Sequence, residues 1–434
     1  MQKQFLLCVF IGIAACELLA VVEVTRHGAR TPMEVKLEHY FGVSSGLDNA
    51  HLTPTGERQH YLLGAKRRKQ YVVTETAEEG NYPLLSPKYD MSEMYIETTD
   101  RNRTFMSAYS HMIGMYPPLD PDEESDTYKV FSEDHLPYDI KTSVYHSLAR
   151  VYDEHNCPYA ADILQENLID AEVDYANNTL FQDMLTEANL NLNLPRPFSG
   201  FNDLWTIVDT YEALSFSKIG NYTEMSDGFI AGVEDVSYTG LFPMWNKRLE
   251  GVQLSTHPYL TFLDRLLSSL VGSDTPTPSN KDIQHIPLDR KYYFFSGHDT
   301  TLSTYLCALN HSNVTRPVYA SSLLLELHED SDLFYIRYLY NGEPLILGSF
   351  CNSEGNCELQ GFLEFIRTKM FTDGDYDTIC SERHQEDGYL GGGNYYPFIF
   401  IGIALAMLIS FCIGFYLYKS RNKREEVELG LIKS

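Results

Sequence analysis

Positive charge is scarce in this sequence. Its 434 residues include 33 lysines and arginines against 60 aspartates and glutamates, so the formal net charge is −27. A chain this acidic is a poor candidate for binding nucleic acid through its phosphates, and it repels anions at long range. Any anion site must therefore be a local cluster of cations.

Other patterns are missing as well. The sequence has no internal repeat, no low-complexity block, no CxxC pair and no His/Cys spacing typical of zinc ligands. These absences exclude repeat architectures and give no support to a zinc site. What is present is a chain of ordinary hydrophobic content, 44%, long enough for one large domain or two modest ones.

The sequence begins with a pattern typical of a secretory signal peptide. Lys3 precedes an apolar stretch that ends at about Ala15, and small residues then precede Glu17. We predict residues 1–16 as the signal peptide, with cleavage near Cys16. An uncleaved membrane anchor is the alternative, but the apolar run is shorter than a typical membrane span.

A second apolar stretch lies near the other end of the chain. Residues 397–418 carry no charge, are flanked by aromatic residues and are followed at once by the basic sequence KSRNKR. This pattern predicts a transmembrane helix with residues 419–434 in the cytosol. A GPI-anchor signal is the alternative, but its hydrophobic tail should lie at the very C-terminus. We therefore expect a single-pass type I membrane protein with a lumenal domain at residues 17–394.

The predicted lumenal domain has five cysteines, and an odd number in an oxidising compartment predicts pairs plus one free thiol. Cys351 and Cys357 bracket the turn-forming sequence NSEGN and can close a small loop. Cys157 with Cys380 would join a late segment to the middle of the chain. Cys307 lies in an apolar helical pattern and is expected to be a buried thiol.

Strand, loop and helix alternate along much of the chain, which indicates an α/β sheet. Strands are predicted at residues 18–25, 93–100 and 291–298. The helix after the first strand is predicted to have Thr53 as its N-cap and Pro54 as its first residue. Residues from about 150 to 270 have mostly helical patterns. We therefore expect a three-layer α/β fold, a sheet flanked by helices with an inserted helical subdomain, plus the C-terminal transmembrane helix.

A basic cluster, Lys66–Lys69, ends the first predicted helix. It could be read as a nucleic-acid patch, but cations are favoured in the last turn of a helix because they complement its dipole. We therefore predict these four residues to be solvated.

Charged and histidine side chains follow the three predicted strands. They are Arg26, His27 and Arg30 after the first, Arg103 after the second, and His298 and Asp299 after the third. Ligands of α/β sheets bind beyond the carboxyl ends of the strands, so these side chains would converge if the strands are neighbours. Guanidinium groups bind phosphate in bidentate fashion, and a helix beginning near Thr300 would add its dipole. The cluster predicts a pocket for a tetrahedral oxyanion.

The sequence around these residues resembles a known family. The pattern Arg-His-Gly-x-Arg-x-Pro at residues 26–32 and the sequence FFSGHDTT at residues 294–301 are together similar to the histidine acid phosphatases, a branch of the phosphoglycerate-mutase-like superfamily. The resemblance extends over nearly the whole lumenal part, and the layout is most similar to the lysosomal and prostatic types. It implies a lysosomal, endosomal or cell-surface location.

The resemblance implies a role for each residue of the cluster. His27 would attack phosphorus and form a phosphohistidine, and Asp299 would protonate the leaving alcohol and then take a proton from water. The groups that bind the phosphoryl oxygens would be Arg26, Arg30, Arg103 and His298. No metal or other cofactor is implied, and an acidic pH optimum follows if Asp299 must start protonated. The substrate would be a small phosphomonoester, and the family suggests a homodimer.

Two departures from the family pattern leave the substrate open. Ala29 stands where lysosomal and prostatic types usually have aspartate, and RHGAR is closer to phytases and lysophosphatidate phosphatases. A serine of the pair Ser321–Ser322 stands where a cysteine is expected, so Cys157–Cys380 and Cys351–Cys357 could be the family's other two disulfides. The alternatives are therefore a phytase or lysophosphatidate phosphatase of the same fold, or a catalytically silent membrane-anchored binding protein. Every expected reactive residue is present, which favours an enzyme.

Glycosylation sequons also fit a secreted domain. They occur at Asn177, Asn221, Asn310 and Asn313. A further sequon at Asn102 adjoins Arg103. We predict that Asn102 is unmodified, because a glycan there would block the pocket.

Overall fold

The chain divides into two units, Met1–Arg383 and His384–Ser434, and every residue described here belongs to the first. The structure is a computed structural model that describes residues 16–33, 41, 43, 47–72, 82–117, 138–143, 148–150, 157–175, 177–192, 201–219, 225–235, 249–273, 281–311, 316–331, 333–371, 376 and 378–380.

Several sequence predictions lie outside the described residues. They are residues 1–15 of the signal peptide, the transmembrane segment 397–418, the tail 419–434, and the sequons at Asn221 and Asn313. Within the described ranges, no helix combines the length and the apolar character needed to span a bilayer.

A mixed β-sheet forms the centre of the fold. In the described part of the chain its strands are β1 (Glu17–Arg26), β2 (Met94–Thr99), β3 (Ile140–Ser143), β4 (Tyr292–Gly297), β5 (Ser322–Asp330), β6 (Leu333–Tyr340), β7 (Glu343–Pro344) and β8 (Asn356–Glu358). Their order is β3-β2-β4-β1-β5-β6-β7, with β8 paired to β6. Strands β1 to β4 are parallel, whereas β5 runs antiparallel to β1 and continues into an antiparallel edge.

The helices lie between these strands in the sequence. They are α1 (Pro54–Tyr71), α2 (Asn102–Met115), α3 (Pro158–Tyr175), α4 (Thr179–Asn191), α5 (Phe201–Ser217), α6 (Asp227–Asp235), α7 (Leu249–Leu270), α8 (Lys281–Gln284), α9 (Asp299–Ala308) and α10 (Leu359–Arg367). Helix α1 begins as predicted, because the Thr53 hydroxyl accepts a hydrogen bond from the Gly56 amide at 3.2 Å.

Side chains of β1 alternate between two apolar cores. Val22 and Val24 pack with residues of α7, α9 and α10, whereas Val21 packs with residues of α1 and α2 on the other face. Helices therefore cover both faces of the sheet. The prediction of an α/β sheet flanked by helices is confirmed.

The described part of residues 150–270 contains helices and no strand. Helices α4, α5 and α6 enclose an apolar core separate from those of the sheet, built around Phe181, Met184, Leu214 and Phe229. This helical segment matters for the site, because α5 supplies carboxylates to it.

The cysteines within the described ranges form two disulfides, Cys157–Cys380 and Cys351–Cys357. Cys307 is a free, half-buried thiol in α9, less buried than expected. Cys16, also free, lies directly before β1, with its Sγ 2.9 Å from the Tyr335 hydroxyl.

The prediction that the basic cluster of α1 is solvated is wrong for Arg67. Its side chain is buried, and its Nε and Nη2 donate to Glu23 Oε1 at 3.0 and 2.8 Å. Glu23 is the one acidic residue inside the apolar run of β1, and it also accepts from the hydroxyls of Ser322 and Tyr292. Burial of a carboxylate in a sheet requires such a partner, and α1 supplies it.

Candidate active site

The predicted cluster lies at the carboxyl edge of three adjacent parallel strands. Strand β4 pairs with β1 on one side and β2 on the other, and Arg26 is directly opposite Gly297. The residues that follow each strand therefore emerge side by side. The rings of His27 and His298 lie 5.6 Å apart between centroids.

His27 is buried and fixed through both its backbone and its ring. Its amide donates to the Gly297 carbonyl at 3.0 Å, and its carbonyl accepts from the Ala320 amide at 3.1 Å. Ring atom Nδ1 lies 2.8 Å from the Gly28 carbonyl oxygen, and because a carbonyl only accepts, Nδ1 carries the proton. Atom Nε2 of the neutral ring then holds a lone pair, as a nucleophile requires.

The electrostatic surroundings keep this imidazole neutral. Burial lowers the pKa of His27 well below its ordinary value, and the charges of Arg103, Arg26 and Arg30 lower it further. The ring therefore remains an available nucleophile in acidic solution.

Glycine is required at position 28, where the loop after β1 passes the first turn of α1. A Cβ on Gly28 would lie 2.4 Å from the backbone oxygen of Gly56, in the first turn of that helix. The loop after β1 therefore packs directly on the helix N-terminus.

Arg26 contacts three groups at the edge of the pocket. Its Nη2 lies 2.8 Å from Asp299 Oδ2, its Nη1 donates to the Pro317 carbonyl at 2.6 Å, and its guanidinium stacks 4.1 Å from the centroid of the Tyr319 ring. His60 supports the backbone here, since its Nε2 donates to the Arg26 carbonyl at 3.0 Å.

Arg30 is paired with a carboxylate of the helical segment. Its Nη2 and Nη1 donate to the two oxygens of Asp209, on α5, at 2.5 and 3.3 Å. Burial would lower the pKa of Arg30, but Asp209 outweighs burial and raises it. Asp209 also accepts from the Met33 amide at 2.7 Å, which fixes the loop after β1.

Arg103 lies in the first turn of α2. Its Nε is buried and has no hydrogen-bond partner among the described residues. Burial, followed by the charge of Arg30, lowers its pKa to about 10, so the side chain is a cation in neutral and acidic solution. A buried guanidinium nitrogen without a partner is a ready donor to an anion.

His298 and Asp299 lie at the start of α9. His298 is the N-cap residue, and its Nε2 lies 3.1 Å from the Thr99 hydroxyl. Asp299 Oδ1 accepts from the Thr300 amide at 2.9 Å, and Oδ2 contacts Arg26 and Arg316. Burial would raise the pKa of Asp299, but Arg26 and Arg316 outweigh it and hold the pKa well below its ordinary value. Asp299 is thus a carboxylate in the free protein.

The structure brings all six predicted side chains to one edge of the sheet and adds residues that the sequence analysis missed. These are Asp209, Glu212, Arg316, Tyr319 and His60. A buried arginine signals that an acidic partner exists, but nothing in the local pattern identifies which one. No group of three or more metal-ligating side chains occurs in the ranges that the structure describes.

Known proteins are similar to this chain in sequence and in fold. The family model "Histidine phosphatase superfamily (branch 2)" matches residues 17–341. Similar proteins include prostatic acid phosphatase of Bos taurus, 26% identical over 86% of this chain and 90% of that protein, and lysosomal acid phosphatase of Xenopus laevis, 25% identical over 82% and 78%. The structure of a Citrobacter braakii phytase is similar in fold, with a TM-score of 0.56 at 14% identity over 82% of this chain and 98% of that one.

The family match begins at β1 and extends through β6, so it spans all three strands that carry the site. It covers well over half of the 434 residues. The chain therefore belongs to branch 2 of the histidine phosphatase superfamily.

Proposed function

We propose that this protein is an acid phosphatase that hydrolyses phosphate monoesters through a phosphohistidine on His27. The observation that carries the proposal is a neutral imidazole, with its Nδ1 proton held by a backbone carbonyl, beside Arg26, Arg30 and Arg103. Guanidiniums around a nucleophile bind a phosphoryl group and stabilise its charge in the transition state. Membership of a phosphatase family points to the same chemistry.

The reaction would proceed in two displacements. Nε2 of His27 attacks phosphorus, the bond from phosphorus to the ester oxygen breaks, and Asp299 gives its proton to the leaving alcohol. Water then attacks the phosphohistidine, Asp299 takes a proton from it, and inorganic phosphate leaves. Arg26, Arg30, Arg103 and His298 would donate hydrogen bonds to the phosphoryl oxygens in both steps.

The ion pairs of Asp299 affect how the phosphatase activity depends on pH. An acid must be protonated, whereas Asp299 in the free protein is ionised by Arg26 and Arg316. A bound phosphate would compete for Arg26 and place negative charge beside Asp299, and both effects raise the pKa of Asp299. The protonated form then accumulates in the complex at acidic pH, which supports an acidic optimum.

Hydrolysis of p-nitrophenyl phosphate between pH 3 and 7 tests the proposal. We expect turnover that falls as the pH rises, loss of turnover in His27→Ala, and a phosphoryl group trapped on His27 by rapid denaturation. A wild-type protein with no activity on any monoester would identify it instead as a silent binding protein of this fold.

Apolar side chains around the pocket favour esters whose organic part is apolar. Met33, Phe216 and Val318 are 39%, 46% and 54% exposed. Phe216 packs edge to face on Tyr319, whose ring lies 5.9 Å from that of His27. The backbone amide of Met33 donates to Asp209, the carboxylate that pairs with Arg30, so Met33 also lies beside the pocket. Solvent-exposed apolar groups beside a polar pocket are suited to an alkyl or aryl substituent. Of the alternatives, lysophosphatidate fits this rim better than the polyanion phytate.

Competition between these substrates tests the preference. We expect a lower KM for lysophosphatidate than for glycerol phosphate, and a KM for lysophosphatidate that rises about tenfold in Phe216→Ser, which loses roughly 1–2 kcal/mol of apolar contact. The KM for glycerol phosphate should not change. Faster hydrolysis of phytate than of lysophosphatidate would contradict the preference.

We also propose that the protein is a membrane-anchored glycoprotein of the lysosome or cell surface. The uncharged segment 397–418 followed by KSRNKR, the N-terminal apolar run and the sequons support this, as does similarity to a lysosomal acid phosphatase. Retention of the full chain in the membrane after carbonate extraction, with its C-terminus accessible from the cytosol, is the expected result.

A further inference from the structure

Arg316 is buried beside the predicted acid and engages two carboxylates. It lies between α9 and β5, with 4% of its surface exposed. Its Nε and Nη2 lie 3.3 and 3.1 Å from Asp299 Oδ2, and its Nη1 pairs with Glu212 on α5. All three guanidinium nitrogens therefore contact acidic groups of the site.

Asp299 Oδ2 is shared between two guanidiniums that differ in what else they can bind. Arg26 lies 2.8 Å from this oxygen and belongs to the group proposed to bind the phosphoryl oxygens. Arg316 is held from its other side by Glu212, so a phosphate that draws Arg26 away leaves Arg316 in place. The contact with Arg316 is thus the one that persists through substrate binding.

We propose that Arg316, held by Glu212, is a positioning residue that fixes the Asp299 carboxyl group and sets the pH below which it can donate a proton. This inference rests on the proposed function, because it assigns a partner to the acid of that reaction. Neither Arg316 nor Glu212 belongs to the sequence pattern that first identified the site.

The charges around Asp299 determine whether replacing Arg316 or Glu212 shifts the activity to higher or lower pH. The cationic and titratable groups that face it are Arg26, His27, Arg30, Arg103, His298 and Arg316, and the acidic groups bound to them are Asp209 and Glu212. Loss of the positive charge at Arg316 favours the protonated acid, so activity extends to higher pH. Loss of the negative charge at Glu212 has the opposite effect.

The test is the pH dependence of kcat of the full-length protein with two esters. Glycerol phosphate releases a poor leaving group that needs an acid, whereas p-nitrophenyl phosphate releases a good one. With glycerol phosphate, we expect Arg316→Gln to move the descending limb upward by about one pH unit and lower kcat about tenfold. Glu212→Gln should move the limb downward, and Arg316→Lys, which keeps the charge, should leave it near the wild-type position.

The comparison between the esters separates positioning from damage to the fold. With p-nitrophenyl phosphate the effect on kcat should be no more than about threefold, because proton donation contributes less there. The inference is overturned if the descending limb of the pH profile does not move in Arg316→Gln or Glu212→Gln although the variant unfolds at the wild-type temperature. If Arg316→Gln fails to fold, the downward shift expected in Glu212→Gln decides, with the unmoved limb of Arg316→Lys as its control. A wild type inactive on both esters refutes the proposed function itself. An active wild type whose pH profile is unchanged in both Arg316→Gln and Glu212→Gln refutes only the role of Arg316.

Discussion

The imidazole rings of His27 and His298 meet edge to face, with their centroids 5.6 Å apart and their planes inclined at 75°. Their strands, β1 and β4, are parallel neighbours, so the contact follows from the register of the sheet. Burial, with the charge of Arg103 next in size, keeps the pKa of each ring well below its ordinary value. Two neutral rings side by side can have different roles, His27 as the nucleophile and His298 as a hydrogen-bond donor to the phosphoryl group.

Replacement of the two histidines should therefore have different effects. His27→Ala removes the nucleophile, and we expect kcat to fall by at least about a thousandfold with no phosphohistidine formed. His298→Ala removes a donor to the phosphoryl oxygens, and we expect a loss of about a hundredfold with labelled His27 still detectable. Rapid-quench labelling with radioactive substrate measures both. Equal labelling of the two variants would contradict the assignment of the nucleophile.

The pair of Arg30 with Asp209 leads to a prediction about stability. Asp209→Asn leaves a buried guanidinium without its carboxylate, and we expect a loss of about 3 kcal/mol in the free energy of unfolding. Inorganic phosphate can supply the missing charge, so it should raise the melting temperature of this variant more than that of the wild type. Thermal unfolding with and without phosphate measures this difference.

Asp264 provides a matched control for that experiment. It is also buried and paired with an arginine, Arg367, at 2.7 Å, but it lies on α7 against α10 rather than in the pocket. Asp264→Asn should destabilise the protein without added sensitivity to phosphate. If phosphate stabilises both variants equally, Arg30 is not part of the anion site.

Local pattern accounts for much of the fold and for the residues that end the strands. The apolar run predicted at residues 18–25 is β1, Glu17–Arg26, and the strand predicted at 291–298 is β4, Tyr292–Gly297. Both could be predicted because β-branched and aromatic residues give way abruptly to charged ones, and because Thr53 and Pro54 are strong helix-start signals.

Partners that are distant in sequence could not be predicted in this way. Arg67 belongs to a run of cations that local rules assign to a solvated helix end, yet it pairs with Glu23 inside the sheet. Asp209 and Arg316 lie in a helix and a loop with no recognisable motif, and only the tertiary structure brings them to Arg30 and Asp299. Side-chain pairing across the chain depends on tertiary structure, which periodicity does not encode.

The position of Asn102 at the start of α2 predicts that this sequon is not glycosylated. Asn102 is the first residue of this helix, and its Oδ1 lies 3.4 Å from the Leu52 amide, while the next residue is Arg103 of the site. A glycan on Asn102 would stand over the pocket, so we expect it unmodified and the exposed Asn177 occupied. Peptide mass spectrometry after enzymatic deglycosylation in heavy-oxygen water measures occupancy. Full occupancy of Asn102 in an active protein would contradict this reading of the pocket.

The buried pair of Glu23 and Arg67 should make stability depend on pH. Burial would raise the pKa of Glu23, but Arg67 and His111 outweigh it and lower it from 4.5 to about 2. Because the pKa is lower in the folded state, the stabilisation is complete above about pH 4.5 and is lost as the pH falls toward 2. A shift of this size corresponds to about 3 kcal/mol at pH 7, nearly all of which persists at pH 5.

Glu23→Gln should therefore lower the free energy of unfolding by about 3 kcal/mol at pH 7 and 5, and the gap to the wild type should shrink by about 2 kcal/mol at pH 3. Ser322→Ala is the matched control, because it removes a hydroxyl that donates to Glu23 Oε1 at 2.6 Å but keeps both charges. Its cost, about 1 kcal/mol at pH 7, should fall by less than about 1 kcal/mol at pH 3, because this hydrogen bond is the smallest of the causes that lower the pKa of Glu23. Urea unfolding at the three pH values measures both variants. A Glu23→Gln deficit as large at pH 3 as at pH 7 would show that folding does not lower the pKa of Glu23.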